Sequence, residues 1–355
     1  MKKLFRTIGI LLLAIILLAG AYVAYVFIDY HRLGDQTLAV SGATGESAIR
    51  TGEEYSVLSW NMGFGAYTAD YDFFMDGGKQ AWAKSEEALK ENLQNIADFV
   101  ALCDPDLCLI QEMDFDSTRT YHVDERDYLL PVLDGRMTSF AQNYDSPFLF
   151  YPLTQPHGAS RSGILTASRF PMTGANRVEL PIDTGVAKVV DLDRCYSVSR
   201  IPAENGKELV LYNLHLSAYT VTGTIADDQL ELLLADMQSE YDKGNYVIGG
   251  GDFNKDLLGD SSKWFGVDTG GYSWSLPIKG SSFDGRDISL VAPLDEADPV
   301  PSVRNPDSAY HEGQLVLTVD GFLVSPNVTV LSSEVADTGF AFSDHNPVRM
   351  QVVLQ

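Results

Sequence analysis

The sequence predicts an α/β domain carried behind one N-terminal membrane-crossing helix. An uncharged apolar run fills residues 7–28, and from residue 55 onward short β-type runs alternate with helical segments. An apolar fraction of 45% and a charged fraction of 21% suit a chain that buries a full core, and 355 residues suffice for one large domain.

Lys2, Lys3 and Arg6 precede the apolar run, and Asp29 and Asp35 follow it. As a helix, residues 8–28 span roughly 31 Å at ~1.5 Å per residue, against a bilayer core of ~30 Å. The basic flank places the N-terminus in the cytoplasm and everything after Ile28 outside the cell. Ala19-Gly20-Ala21 loosely resembles a signal-peptide cleavage site, but the run continues well past it. A secretory core is usually ~7–15 residues, so the length favours an uncleaved anchor. The chain therefore divides into a cytoplasmic stub and anchor (1–30), a small polar linker or edge strand (31–53) and a folded domain (54–355).

Within that domain, strands are predicted at 55–61, 107–112, 163–167, 195–201, 208–216, 246–250, 315–324 and 348–354. Helices are predicted at 84–102 and 225–241. In the second, Ile225, Leu230, Leu233, Leu234 and Met237 recur at helical spacing, with Asp and Glu on the other side. Residues 264–305, rich in Gly, Ser, Pro and Asp, read as a long surface loop. Cys103, Cys108 and Cys195 form no even disulfide framework and no C-x-x-C metal spacing, and read as buried free thiols.

The net charge of −24 disfavours a broad nucleic-acid-binding face, because non-specific affinity comes from Lys and Arg neutralising phosphates. It favours cation binding and leaves a local nucleic-acid site open.

The chemistry emerges at strand ends. The predicted strands run into Asn61, Glu112, His215, then Asp252 and Asn254, then Asp320, and Asp344-His345 stands just before the last strand. An Asp or Asn after a strand is usually a turn former, and a lone His is usually a hydrogen-bonded or exposed residue. The ordered set, each member at the end of a rigid element, points instead to a site that holds a metal and a phosphate.

The motifs SVLSWNMG (56–63), LCLIQEMD (107–114), SGILTASRFP (162–171), LYNLHLSAY (211–219), GGGDFNKD (249–256), VDGFLVS (319–325) and SDHNPV (343–348) resemble those of the endonuclease/exonuclease/phosphatase, or DNase I-like, superfamily. The resemblance covers about 55–350. It implies two mixed β-sheets packed as a sandwich flanked by helices, with the site at one end, and a Mg²⁺-dependent hydrolase of phosphoester bonds, Mn²⁺ being a possible substitute. It implies Glu112 as the principal metal ligand, Asn61 close to the metal and Asp344 as a second acidic ligand. Asp252 and Asn254 would orient the attacking water and the phosphate. His345, paired with Asp320, would act on the phosphoryl group or the water, and His215 would touch a phosphate oxygen. Arg194 sits where some relatives place a phosphate-binding Arg.

Elementary chemistry agrees. Phosphoester hydrolysis needs charge neutralisation, an aligned water and a protonated leaving oxygen. Mg²⁺ prefers one or two carboxylates plus waters, and a neighbouring Asp favours the cationic form of a His. Loops at 116–122 and 143–158 offer Arg119, His122, Tyr144, His157 and Arg161 for substrate recognition. Gly249-Gly250-Gly251 lacks phosphate-loop spacing and reads as close packing beside Asp252. No long helical or hydrophobic hairpin insertion into a membrane is evident.

The substrate stays open among a lipid head group, a small organophosphate and nucleic acid, and no protein partner is implied. A surface nuclease is one alternative. The other, a non-catalytic binding module on the same fold, would predict loss of a core residue, and all eight are present. No G-x-S-x-G motif supports a metal-independent esterase.

Overall fold

The computed structural model describes residues 1–182, 185, 188, 192–218, 224–269 and 272–355. One long helix, α1 (Lys2–Asp29), precedes two short strands, β1 (Gln36–Thr37) and β2 (Val40–Gly42). There follow β3 (Glu54–Asn61), α2 (Glu86–Cys103), β4 (Leu107–Asp114), α3 (Arg126–Val132), β5 (Met137–Asp145), β6 (Arg161–Ser168) and β7 (Gly174–Glu179). The second half contains β8 (Cys195–Pro202), β9 (Glu208–His215), α4 (Ile225–Asp242), β10 (Tyr246–Asp252), α5 (Ser261–Phe265) and β11 (Ser289–Val291). It closes with β12 (Val303–Arg304), β13 (Val316–Leu317), β14 (Asp320–Val324), β15 (Val328–Val335) and β16 (Val348–Leu354).

The strands make two seven-stranded mixed sheets, ordered β1-β7-β8-β9-β10-β14-β11 and β15-β16-β3-β4-β6-β5-β2, plus a small β12-β13 ribbon. Each large sheet has one parallel pair, β9 with β10 and β3 with β4, joined by the crossover helices α4 and α2. The central strands are buried on both faces, which is why they read as near-continuous apolar runs. In β3, Tyr55 and Val57 face the opposing sheet while Leu58 and Trp60 face α2. Leu107 and Leu109 of β4 alternate with Cys108 and Ile110 in the same way. On the other sheet, Val210, Tyr212 and Val247 meet Leu230, Leu233 and Met237 of α4. A sandwich covered by helices on its outer faces results.

α2 starts two residues later than predicted because Ser85 caps it, its side chain accepting from the Ala88 amide at 3.1 Å. It ends where Asp104 turns left-handed. The predicted strand at 315–324 is two strands, β13 and β14, and the predicted loop at 264–305 contains β11 and β12 among its described residues. Strands β5, β7 and β15 and helix α3 had no sequence-based prediction. The stretch read as a linker or edge strand contributes β1, paired with β7, and β2, paired with β5. Arg177 fastens it further, donating to the Leu33 and Gly34 carbonyls at 2.8 Å. The three cysteines are free thiols.

Towards one end of the sandwich the inter-sheet core turns polar. Gln111 Nε2 reaches Asn213 Oδ1 at 2.8 Å, and Asn213 Nδ2 donates to the Ile110 and Leu165 carbonyls at 3.2 and 2.9 Å. The strands that carry the strand-end residues are thereby locked in register where those residues emerge.

Candidate active site

Asn61, at the end of β3, donates from Nδ2 to Glu112 Oε1 at 3.2 Å and to Asp252 Oδ2 at 3.0 Å. One amide thus ties both sheets together at the site. Glu112 lies in a bulge of β4, where the pairing with β6 shifts between Ile110 and Met113, and its φ is 52°. A bulge re-aims one side chain, and a left-handed non-glycine residue is strained unless its surroundings impose it. The bulge turns Glu112 into the cavity.

Asp252 closes β10. Gly251 before it has φ 152°, and a Cβ there would fall 1.9 Å from the Leu214 carbonyl oxygen. A Cβ on Gly250 would meet Leu109 of the opposing sheet at 2.8 Å. These glycines allow the close approach that the sequence suggested. Asp252 Oδ1 accepts from the Asn254 amide at 2.8 Å, with Asn254 at φ 47° and its Nδ2 on the Leu216 carbonyl at 2.8 Å.

His345 and Asp344 stand on the loop before β16, which β12 holds. The Arg304 amide donates to the Asp344 carbonyl at 2.9 Å, and Trp60 Nε1 donates to the His345 carbonyl at 2.9 Å. His345 Nδ1 lies 2.8 Å from Asp320 Oδ2, and its Nε2 lies 3.8 Å from Asp252 Oδ2. Ser302 Oγ donates to the same Asp320 oxygen at 2.7 Å. Burial opposes charge on His345, but the Asp320 carboxylate, with Asp252 and Asp344 behind it, outweighs burial and holds the imidazolium up to about 10. His215 goes the other way. Burial, then the charges of Arg194 and His345, push it well below its ordinary value, so it is neutral, with Nε2 3.3 Å from Asp252 Oδ2.

The carboxylates are raised. Burial lifts Asp252 to about 7, with Asp320 adding to the lift and His345 opposing it. Burial lifts Asp344 to about 6, against His345 and with Glu112 repelling. Buried acids without enough positive charge, facing the same cavity as the half-open Glu112, suit a hard cation with oxygen ligands. Asn61, Glu112 and Asp344 could hold it. Asp252, Asp320 and His345 also lie close, with donor atoms within 4.8 Å of one another. Asp320 Oδ2 is engaged by Ser302 and His345, while among the described residues its Oδ1 is buried without a hydrogen-bond partner.

Glu112, His215, Asp252, Asn254, Asp344 and His345 line a cavity of about 290 Å³. Of the substrate-recognition candidates, Arg194, Arg119, His157 and Tyr144 line it as well. Arg194 is buried, and among the described residues its Nε and Nη1 have no hydrogen-bond partner. Arg119 is clamped by Asp114 through two bonds of 2.8 Å and lies 3.7 Å over the Phe64 ring. His157 is buried against Phe73 and Phe74, and burial, then Arg119, lowers it to about 3. His122 does not reach the cavity. A left-handed turn at Tyr121 and His122 swings it to the surface, where Nδ1 meets Asp116 at 2.7 Å. Arg161 is likewise exposed, paired with Asp116 and Asp145. Tyr219, the last residue of the 211–219 motif, lies outside the described residues.

Sequence reasoning missed an aromatic part of the lining. Phe64, Tyr67, Phe73, Phe74 and Trp274 line the cavity with Arg304, whose Nη2 is held by the Thr68 and Tyr71 carbonyls at 3.0 and 3.1 Å. The aromatic density of residues 64–74 was the available signal.

A family model described as "Endonuclease/Exonuclease/phosphatase family" matches residues 58–345. The chain belongs to the endonuclease/exonuclease/phosphatase family. Solved structures share its fold at low identity. One is an endonuclease/exonuclease/phosphatase from Beutenbergia cavernae, with 17% identity, 85% of this chain and 72% of that chain covered, and a TM-score of 0.53. Another is the human Nocturnin catalytic domain with bound sulfate, with 16% identity, coverages of 90% and 97%, and a TM-score of 0.54. A third is ANGEL2, described as a 2',3'-cyclic phosphatase, with 16% identity, coverages of 89% and 98%, and a TM-score of 0.55. No curated protein sequence matches the chain. Members of the family are generally phosphoester hydrolases that use divalent metals.

Proposed function

We propose that the chain is a Mg²⁺-dependent phosphoester hydrolase, anchored by α1 with its folded domain outside the cell. The observation that carries this reading is the Asp320–His345 pair at 2.8 Å, whose Nε2 lies beside Asp252 at 3.8 Å. A cationic His beside an acid that burial lifts to about 7 can form an acid–base pair.

In the proposed mechanism Asp252 takes the proton of the attacking water, while Asn61 and Asn254 fix its carboxylate. The water oxygen bonds to phosphorus as the ester P–O bond breaks. His345 presents Nε2–H to the phosphoryl oxygens, and the leaving oxygen takes that proton as the ester bond breaks. Neutral His215 and the unpartnered nitrogens of Arg194 offer further hydrogen bonds to phosphate oxygens. A bound divalent cation, Mg²⁺ or Mn²⁺ on Glu112 with Asn61 and Asp344, would neutralise the non-bridging oxygens.

The aromatic wall favours an organic group with an apolar face on the phosphoester. Together with the net charge of −24 it argues against extended nucleic acid as the main substrate.

Turnover of a phosphoester panel by the detergent-solubilised chain tests this reading. His345→Ala lowers kcat by about 10²–10⁴ if the imidazolium does acid–base work. A loss within tenfold on every substrate removes that role. For location, protease added outside intact cells digests the domain, and full protection refutes the outward orientation.

A further inference from the structure

The last turns of α1 are bound to the domain. Tyr22 Oη donates to the Phe148 carbonyl at 3.1 Å and accepts from the Phe150 amide at 3.2 Å. Tyr25 Oη accepts from the Phe148 amide at 3.0 Å. The Tyr22 ring meets Phe150 edge-on at 5.2 Å, and Val26, one turn further, is buried. Beyond the helix His31 pairs with Asp145 at 3.2 Å, and Arg32 bonds the Leu180 carbonyl.

The segment held in this way is a hairpin tip. Leu149 and Gly158 exchange two backbone hydrogen bonds of 3.0 Å, and Trp82 Nε1 donates to the Pro156 carbonyl at 2.7 Å. Between these fastenings Phe150, Tyr151 and Leu153 are 52%, 69% and 84% exposed. Residues 146–160 include no Asp, Glu, Lys or Arg. The tip is too short to stand out as an insertion in the sequence. The same tip rims the cavity. Leu149 and His157 line it, and the Tyr151 ring lies 5.8 Å from Phe74, another lining residue.

The helix accounts for the exposed apolar cluster. Residues 4–21 are exposed along their whole length. At ~1.5 Å per residue those 18 residues rise roughly 27 Å, close to the ~30 Å of a hydrocarbon core. The crossing therefore lies nearer the N-terminus than the 8–28 read from the sequence, with Arg6 snorkelling to the inner surface. Seating them there puts Tyr22 and Tyr25 in the interfacial layer, where tyrosines concentrate. The tip bonded to them then lies in that layer as well.

We propose that the 149–158 tip seats in the outer leaflet of the bilayer that α1 spans. The cavity then opens at the membrane surface and receives phosphoesters carried by amphiphiles in that leaflet. This rests on the reading of α1 as membrane-spanning. A neutral tip on a domain of strong negative charge fits a leaflet of zwitterionic lipid.

The test uses the full chain in phosphatidylcholine vesicles, with Cys103→Ser removing the half-buried thiol. An environment-sensitive fluorophore is placed on Leu153→Cys, on Ile16→Cys within α1, or on Leu331→Cys on β15. The expected result is a blue-shifted Leu153 label, quenched by nitroxide lipids, with the Leu331 label water-like. A water-like, unquenched Leu153 label beside a quenched Ile16 label overturns the tip proposal and leaves the anchor standing. If the Ile16 label is also unquenched, both fall. A blue shift without lipid quenching assigns the tip to a protein partner and overturns the proposal. In parallel, Leu153→Asp lowers turnover of hexadecyl p-nitrophenyl phosphate in vesicles at least tenfold and leaves soluble bis-p-nitrophenyl phosphate unchanged. Equal effects on the two substrates overturn it.

Discussion

Asp320→Asn removes the charge that keeps His345 protonated while preserving size and hydrogen-bonding shape. In the native site His345 is held up to about 10, burial being overcome chiefly by Asp320 at 2.8 Å. Without that carboxylate, burial, opposed only by the weaker pull of Asp252 and Asp344, brings the imidazole back towards its ordinary ~6.5, a value at which about a tenth is cationic at pH 7.5. The charge population alone therefore lowers kcat about tenfold at pH 7.5. Misorientation of the ring takes the loss into the 10²–10⁴ range typical of acid–base groups. The assay is kcat for bis-p-nitrophenyl phosphate across pH 5.5–9 in saturating Mg²⁺, with circular dichroism confirming the fold. The loss grows as pH rises, since the variant sheds its proton near 6 where the native His345 does not. An Asp320→Asn enzyme within threefold of native at pH 8, or a loss independent of pH, would refute the reasoning.

Four further outcomes are expected. Arg194→Met raises KM tenfold or more, because a charge-assisted hydrogen bond is worth about 1.5–3 kcal/mol, yet raises Tm, because two buried unpartnered nitrogens are removed. An unchanged KM excludes phosphate contact. Glu112→Gln shifts the Mg²⁺ activation curve to higher concentration, measured by metal titration after chelation, and an unmoved curve excludes it as a ligand. Activity falls on the acid side at or below pH 7 as Asp252 gains a proton, because burial lifts it to about 7 and a cation beside it draws it lower; a pH-independent rate from 5 to 8 contradicts its role as base. His157 has a folded value of about 3, below its unfolded ~6.5, so its contribution to stability is full above 6.5 and is lost as pH falls towards 3. His157→Gln flattens the denaturation midpoint over that window, and an unchanged slope contradicts the buried neutral imidazole.

The candidate site was legible where its members sit at the ends of regular strands. Glu112, His215, Asp252 and Asp320 each end or interrupt a run whose apolar pattern marks it as core. Asp344-His345 was legible for the same reason, standing before β16. What escaped was set by long-range packing. Arg304 reaches the cavity because a two-residue strand pairs Val303 and Arg304 with Leu317 and Val316, a register no local pattern encodes. The aromatic wall sits in a segment of turns without periodicity. His122 read as a candidate because it stands in the 116–122 loop, but a left-handed pair at 121–122 decides where it points. The edge strands β1 and β2 are short and mostly exposed, and pairing partners far along the chain fix them.

The central claim is metal-assisted phosphoester hydrolysis at Glu112 and Asp252. Its most direct measurement is p-nitrophenol release from bis-p-nitrophenyl phosphate by the detergent-solubilised chain, with Mg²⁺ and after chelation, for native protein and Glu112→Ala. The expected result is turnover that chelation abolishes, that Mg²⁺ or Mn²⁺ restores, and that Glu112→Ala lacks at the same metal concentration. Turnover that survives chelation, or that Glu112→Ala leaves intact, would contradict it.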